Sequence, residues 1–257
     1  MSNTLLDFNV QGWHFLRMNP FDPEKDSIHS NIHGCPTPHK PSRYWPALGH
    51  DRLTPLYDPI VKLFTRETRV KSRLLQQAEL DKSHTVLDVG CGTGTLLLMA
   101  KRAIKGMVAV GLDGDGKILG LARKKTRRAM EAHPLIRASS IHIPFLDGTF
   151  DRVLSSLMLH HLTPSEKLHT LREMYRTLRP GGELHVADWG RPRGLLMELL
   201  ALVVRVGDGF ERTRDNLDGR LPTLCREAGF EEVSETARFA TIMGTMTLYR
   251  GKKPEKV

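Results

Sequence analysis

The sequence predicts an α/β fold in which a doubly wound, mostly parallel sheet carries helices on both faces and ends in an antiparallel hairpin. Three observations lead to this prediction. Short apolar runs alternate with helical patterns, one of these runs leads directly into a glycine-dense turn, and two strand-like runs close the chain. With 257 residues, 40% of them hydrophobic, the chain is long enough to bury a sizeable core.

The glycine-dense turn is the strongest local signal. A strand-forming run from Thr85 ends at Asp88 and Val89, residues 90–94 read Gly-Cys-Gly-Thr-Gly, and Thr95 begins a helical pattern. Glycines permit positive φ and let backbone N–H groups approach a ligand closely. The following helix start adds unpaired donors and the positive end of a dipole. This stretch is therefore predicted to bind a ligand.

A second apolar strand ends at Asp113, about 20 residues after the turn, where nucleotide-binding folds place a carboxylate on ribose hydroxyls. The spacing Gly90-x-Gly92-x-Gly94 lacks the Gly-x-x-Gly end of a dinucleotide loop. Asp88 beside the turn would repel a pyrophosphate but suits an ammonium or sulfonium group. A nicotinamide oxidoreductase is therefore disfavoured.

The motif Asp88-x-Gly90-x-Gly92-x-Gly94 resembles the first motif of class I S-adenosylmethionine-dependent methyltransferases. The resemblance continues through Leu112-Asp113 and the turn Leu178–Leu184, and it covers roughly residues 51–250. The segment Leu159–Leu162 is most similar to the branch that includes ubiquinone and menaquinone C-methyltransferases. The resemblance implies a Rossmann-like, seven-stranded sheet and S-adenosylmethionine as the cofactor.

The resemblance also implies where the cofactor lies. Its methionine part would contact the glycine turn and Ser155 or Ser156, and its ribose would bind Asp113. At Ser139 or Ser140 the family often has an acid that reaches the adenine, so a hydroxyl or a backbone group would substitute here. The predicted cofactor-binding residues are Asp88, Gly90, Cys91, Gly92, Gly94, Asp113, Gly114, Ser140 and Ser155.

Two histidines after the fourth strand are the candidate catalytic residues. His160 and His161 follow a strand whose carboxyl end opens onto the ligand crevice of a parallel sheet. Histidine suits proton removal near neutral pH; the alternative interpretation is that both side chains brace the loop. Tyr57, ahead of the first strand, and Asp188, at the end of the fifth, are the candidate substrate-contacting residues.

Periodicity predicts the remaining elements. Helices are expected over residues 53–80, 117–131, 164–178 and 221–228, and strands over 140–143, 152–155, 183–187, 232–239 and 244–249. Residues 195–204 are apolar almost all round but too few to span a bilayer. They predict either a buried helix or an apolar cap over the acceptor pocket, which would favour a lipid or quinone acceptor.

The chain is basic, with 38 Lys and Arg against 29 Asp and Glu, which gives a net charge of +9. Its densest cluster, within Arg123–Arg128, interrupts an apolar stripe at helical spacing and predicts a solvated helix face. No aromatic residues are interleaved with it, so nucleic acid binding is not expected. Peripheral contact with an anionic membrane stays open.

Two domains of unequal character are predicted: a Pro- and His-rich extension, residues 1–50, and a methyltransferase domain, residues 51–257. His29, His33, Cys35 and His39 match no zinc spacing, so no metal site is predicted. Three widely separated cysteines indicate a reducing compartment, and the N-terminus has no signal-peptide pattern. A cytoplasmic, soluble protein is expected.

The resulting functional hypothesis is transfer of the methyl group of S-adenosylmethionine to a small, largely apolar acceptor, such as a quinone, a lipid or a secondary metabolite. Two alternatives share the cofactor motifs. One is an RNA or protein methyltransferase, for which salt-sensitive RNA binding would be evidence. The other is a binding protein that keeps the cofactor fold without turnover.

Overall fold

The computed structural model describes residues 66–131 and 133–255. Tyr57, the extension 1–50 and the first part of the predicted helix 53–80 lie outside the described residues. The helices are α1 Glu67–Gln77, α2 Thr95–Ala103, α3 Gly116–Arg128, α4 Pro164–Thr177, α5 Leu195–Asp208, α6 Phe210–Leu217 and α7 Leu221–Glu227. The strands are β1 Thr85–Val89, β2 Val108–Asp113, β3 Leu135–Arg137, β4 Phe150–Ser156, β5 Leu178–Trp189, β6 Glu231–Thr241 and β7 Gly244–Lys252.

The strands form one seven-stranded sheet in the order β3-β2-β1-β4-β5-β7-β6. The first five strands pair in parallel, and β7 pairs antiparallel with both β5 and β6. The order reverses between β1 and β4, which is the switch point where ligands bind in open parallel sheets. The predicted fold, a doubly wound sheet finished by an antiparallel hairpin, is confirmed.

Alternating side chains along the strands pack into two separate hydrophobic cores. Leu87 and Val89 of β1 belong to the core that also contains Leu171 of α4, whereas Val86 belongs to the core with Leu74 of α1. Because successive strand residues point to opposite faces, one apolar run supplies both cores. Helices therefore cover both faces of the sheet.

Local capping chemistry fixes where two of the helices begin. Thr163 accepts a hydrogen bond from the backbone N–H of Glu166, whose carboxylate in turn accepts one from the N–H of Thr163, and Pro164 occupies the first helical turn. Asp115 caps α3 by accepting from the N–H of Lys117 at 2.8 Å. Helix α3 packs against β2 and β3, and α4 packs against β5.

The structure differs from the predicted elements in the third strand and in one additional helix. The third strand is Leu135–Arg137, paired with β2, and not residues 140–143, which form a turn closed by the N–H of His142 on the carbonyl of Ser139. The true strand is too short for alternation to reveal it. Helix α6 was not predicted, because its polar sequence gives little apolar periodicity, although Asp215 and Asn216 are buried within it.

Helix α5 is not buried on all sides. Ala201 and Val204 pack into a core, but Leu195, Leu199 and Val206 are 81%, 67% and 70% exposed. The buried helix, one of the two predicted alternatives, is therefore wrong, and α5 carries an apolar outer face. In contrast, the predicted solvated face of α3 is confirmed, since Arg123–Arg128 contains four exposed basic residues beside buried Ala122. No helix in the described ranges is long and apolar enough to cross a membrane.

Candidate active site

The glycine turn connects β1 to α2 at the switch point of the sheet. Gly90 and Gly92 adopt φ of +74° and +54°, conformations that L side chains rarely tolerate. The N–H groups of Gly90 and Cys91 donate to the carbonyl of Leu112 at 2.8 and 3.0 Å, which ties the turn to β2. A Cβ on Gly90 would lie 2.7 Å from Cβ of Met158, whereas a Cβ on Gly92 would have no atom within 4 Å. The turn is packed at Gly90 and open at Gly92.

Asp113, at the end of β2, is hydrogen-bonded to the open part of the turn. One carboxylate oxygen accepts from the N–H of Gly92 and the other from the N–H of Asp115, each at 2.9 Å. Burial raises the pKa of Asp113, and the two backbone donors oppose that rise. The predicted ribose-binding carboxylate thus stands at the edge of the glycine turn, held in place by backbone donors.

Asp88 lies below the turn and is almost fully buried, at 1% exposure. Neither of its carboxylate oxygens has a hydrogen-bond partner among the described residues. Burial raises its pKa to about 7, the ammonium of Lys71 acts to lower it, and Asp113 acts to raise it. Because an unpaired buried carboxylate is costly, this group is poised to accept a cationic ligand.

Glu67 and Lys71 of α1 form a buried ion pair beside Asp88. One oxygen of Glu67 has no hydrogen-bond partner among the residues described. Among the described residues, the cluster therefore holds two carboxylates for one ammonium. Sequence reasoning missed this pair, although a signal was present: Glu67, Val70, Lys71 and Leu74 share the i, i+3, i+4, i+7 stripe that α1 buries.

The other predicted cofactor residues lie around the turn with different orientations. The Cys91 side chain packs inward against the backbone of Gly111, so only its backbone faces the turn. Ser155 donates from its hydroxyl to the carbonyl of Val89 and braces β1 against β4. Ser140 is hydrogen-bonded to Thr170 of α4 at 3.0 Å. Gly114 is exposed beyond the end of β2. Their contacts with a cofactor stay predictions.

The backbone is strained where β4 leaves the sheet. Leu157 adopts φ of +56°, which is uncommon for a residue with a bulky side chain. Its N–H donates to the carbonyl of Ala187 at 2.8 Å, and the next residue, Met158, packs against Gly90. A 3₁₀ turn, Leu159–His161, follows immediately. The strained exit therefore places Met158 against Gly90, immediately before the turn that carries the two candidate histidines.

His160 is buried and held by Asp188. Its Nδ1 lies 2.6 Å from a carboxylate oxygen of Asp188, which also accepts from the N–H of Trp189 at 2.7 Å, and the other oxygen accepts from the N–H of Leu159 at 2.8 Å. Burial acts to lower the pKa of His160, but the Asp188 and Asp208 carboxylates together outweigh it, so that this pKa is raised. Asp188, predicted to contact substrate, therefore orients a histidine.

His161 and Asp208 complete this cluster. Asp208, the last residue of α5, places one carboxylate oxygen 3.7 Å from Nε2 of His160 and the other 3.7 Å from Nδ1 of His161. Both side chains are half-buried. Burial and the neighbouring His160 lower the pKa of His161, while burial raises that of Asp208. The structure brings together three of the predicted residues, namely His160, His161 and Asp188, and adds Asp208.

Comparison with known proteins assigns the family of this region. Residues 86–182 match the family model described as a methyltransferase domain. The chain is 35% identical over 134 residues to the ubiquinone/menaquinone biosynthesis C-methyltransferase UbiE of Blochmanniella floridana, a match that covers 51% of this chain and 52% of the relative. It is 34% identical over 143 residues to the demethylmenaquinone methyltransferase of Thermus thermophilus, covering 54% of this chain and 64% of that relative. The chain thus spans about half to two thirds of the relatives' length.

Residues 86–182 belong to a class I S-adenosylmethionine-dependent methyltransferase domain. The fold of this domain is shared with phosphoethanolamine N-methyltransferase 2 of Haemonchus contortus, solved with phosphomonomethylethanolamine and S-adenosylhomocysteine. The two structures align with a TM-score of 0.60 at 16% identity, over 72% of this chain and 52% of the other. S-adenosylmethionine is the cofactor of the methyltransferase family, which confirms the predicted cofactor class.

The residues at and around the glycine turn fit this cofactor on three points. Asp88 and Glu67 offer unpartnered carboxylate oxygens to a ligand that carries a sulfonium and an ammonium group. No protein atom lies within 4 Å of the position that a Cβ on Gly92 would occupy, so the turn leaves space for a ligand there. Asp113 presents a carboxylate at the edge of the turn, where ribose hydroxyls can donate to it.

Cofactor affinity is expected to depend on pH through Asp88. Its pKa of about 7 means that the free protein carries a proton on this carboxyl below pH 7, whereas a cationic ligand requires the carboxylate. Affinity should therefore rise up to about tenfold per pH unit toward pH 7 and then level off. Calorimetric titrations of S-adenosylmethionine between pH 5 and pH 7.5 measure this.

The Asp88→Asn variant is the control, because it cannot titrate. It should bind more weakly at pH 7 and lose the pH dependence. Burial disfavours the charged carboxylate, so the folded protein loses stability as pH rises from the ordinary pKa of aspartate, 3.8, through about 7. The ligand-free Asp88→Asn variant, which stays neutral, should therefore unfold at a higher temperature than the parent at pH 8. An unchanged pH profile in the variant would assign the dependence to another group.

Proposed function

We propose that the protein transfers the methyl group of S-adenosylmethionine to a small, largely apolar acceptor. The observation that carries the proposal is the buried, unpartnered Asp88 carboxylate beneath an open glycine turn, because a ligand with a positive charge satisfies it. When bound, the cofactor supplies an electrophilic methyl carbon on a sulfonium leaving group. The chain's own task is to hold the acceptor in line with that methyl group and exclude water.

Helix α5 supports the apolar character of the acceptor. Its outer face carries exposed leucines and valines, and its last residue, Asp208, lies beside His160 and His161. An apolar surface thus leads to the candidate catalytic histidines. The relatives named as quinone-pathway methyltransferases support the same acceptor class. A quinone-, lipid- or secondary-metabolite-like molecule would suit this surface.

His160 and His161 are our candidate acid–base residues. Asp188 fixes the Nδ1 side of His160, so that Nε2 is the ring nitrogen directed toward Asp208 and the open part of the cluster. This is the arrangement in which a carboxylate orients a histidine for proton transfer. No side chain is required as a nucleophile, since the methyl group passes directly to the acceptor.

A labelled-methyl assay tests the proposal. The full chain is incubated with S-adenosylmethionine that carries a radioactive methyl group and, in separate reactions, with prenylated quinols, phospholipid vesicles, RNA or a peptide mixture. Label in the quinol or lipid fraction is the expected result. Label in RNA or protein would replace the proposal with the macromolecular alternative, and cofactor binding without label in any fraction would indicate a non-catalytic binding protein. Failure of the folded chain to bind S-adenosylmethionine would overturn the proposal.

A further inference from the structure

The cluster formed by His160, His161 and Asp208 has a geometry that the proposed methyl transfer does not require. Of the residues that the structure describes, only these three form a group of histidine, cysteine or acidic ligands whose donor atoms all lie within 4.8 Å of one another. Two imidazoles and a carboxylate are a ligand set that suits zinc and neighbouring first-row divalent ions.

The distances leave a gap of the size of an ion. Nε2 of His160 and Nδ1 of His161 each face a different oxygen of Asp208 at 3.7 Å, which is too long for a hydrogen bond. Two ligand atoms on a tetrahedral zinc ion, each about 2.0–2.1 Å from the metal, lie about 3.4 Å apart. A small movement of the half-buried Asp208 side chain would shorten the two 3.7 Å separations to the distance found on a zinc ion.

The outer residues match those of known metal centres. Histidines that bind metals commonly donate their second ring N–H to a carboxylate, which fixes the tautomer and the ring orientation. Nδ1 of His160 lies 2.6 Å from Asp188, so its Nε2 is the nitrogen left to face Asp208. Backbone donors from Leu159 and Trp189 hold Asp188 in turn. The first histidine is therefore oriented before any ion arrives.

The surrounding charge is compatible with a cation. Lys167 is a buried ammonium near the cluster, but it contacts the carbonyl of Arg212 and lies 3.6 Å from Asp215, which compensates its charge. Among the described residues, the Arg212 guanidinium is a second cation near the cluster, where it acts to lower the pKa of His161, whereas Asp188 and Asp208 contribute two negative charges. Partial exposure of His161 and Asp208 provides an entry path from solvent.

We propose that His160, His161 and Asp208 bind a divalent first-row transition metal ion of the zinc class, with Asp188 as the carboxylate that orients His160. Three protein ligands leave a coordination position open, as in catalytic rather than structural zinc sites. That position would take water or an oxygen atom of a small molecule. The proposal goes beyond methyl transfer and does not depend on it. A ring nitrogen that holds the ion cannot also accept a proton, so metal binding would replace the acid–base role of the histidines.

The test uses the full chain after treatment with a chelator, in a background where His29, His33 and His39 are glutamine and Cys35 is serine. These substitutions remove the ligand-type residues of the N-terminal extension. Zn²⁺ is titrated calorimetrically into this protein and into its Asp208→Asn, His161→Gln and His169→Gln variants. His169 is the matched control, because it is an exposed histidine outside the cluster.

One equivalent of Zn²⁺ should bind to the parent. Its affinity should be at least about 10- to 100-fold lower in the Asp208→Asn and His161→Gln variants, and unchanged in the His169→Gln control. Co²⁺ bound to the unsubstituted cluster gives a second measurement, which does not depend on the folding of any cluster variant. Its visible absorption should show the intense bands of a four-coordinate ion, and Zn²⁺ should abolish them. Absence of stoichiometric Zn²⁺ binding, or equal affinity in the cluster variants, would overturn the inference.

Parallel titration of S-adenosylmethionine separates this inference from the proposed function. A folded parent that binds S-adenosylmethionine but no Zn²⁺ would overturn the metal site alone. A parent that binds Zn²⁺ at the cluster but no S-adenosylmethionine would overturn methyl transfer alone. Cluster variants that lose Zn²⁺ while retaining the cofactor and their melting temperature would support the metal site.

Discussion

Asp113→Ala is expected to weaken S-adenosylmethionine binding by at least about 100-fold. The carboxylate accepts the N–H groups of Gly92 and Asp115, and in the proposed complex it also accepts ribose hydroxyls. Hydrogen bonds to charged groups contribute about 1.5–3 kcal/mol each, and about 1.4 kcal/mol corresponds to a tenfold change in affinity. Loss of the ribose contacts, together with a released Gly92, accounts for the expected effect. Calorimetric titration of S-adenosylmethionine measures it.

Two further variants show whether the effect is specific. Asp113→Asn keeps one acceptor oxygen and should fall between the parent and Asp113→Ala. Asp147→Ala removes an acid whose side chain is 79% exposed and which pairs with Arg176, and it should bind the cofactor as the parent does. NADH is titrated in the same series. Binding of NADH in preference to S-adenosylmethionine, or full cofactor affinity in Asp113→Ala, would contradict the ribose assignment.

The substitutions Gly90→Ala and Gly92→Ala are expected to lower the free energy of unfolding by different amounts. Both residues have positive φ, so each substitution carries a strain of about 1–2 kcal/mol. At Gly90 the new Cβ also collides with Met158, and overpacking of this kind adds about 1–3 kcal/mol. Gly90→Ala should therefore lose about 2–5 kcal/mol of unfolding free energy, whereas Gly92→Ala should lose only the strain. Denaturant unfolding measures the difference.

Cofactor affinity should be reduced more by Gly92→Ala than by Gly90→Ala. The Cβ of Gly92→Ala would point into space with no protein atom within 4 Å, where the cofactor is proposed to lie, so its affinity should fall although its melting temperature decreases less than that of Gly90→Ala. The double variant Gly90→Ala, Met158→Ala tests the collision directly, because it should regain part of the stability lost in Gly90→Ala. Equal destabilisation by both single substitutions would show that Met158 is not the cause.

Much of this protein was predictable from the sequence because the relevant signals are local. Alternation of apolar residues identified the central strands, and glycine spacing after Asp88 identified the turn, since breakers and side-chain periods act over a few residues. The distance from the turn to Asp113 indicated the second strand's carboxylate. The chain order of these elements was enough to predict a doubly wound sheet with a terminal hairpin.

The tertiary structure alone decided which distant residues meet and which side chains are buried. Asp208 joins His160 and His161 because α5 ends over the exit of β4, and no sequence spacing expresses that contact. Lys71 is drawn into a buried ion pair beside Asp88, although its type usually favours solvent. The site therefore has a local part, which the sequence determined, and a non-local part that depends on how helices pack across the end of the sheet.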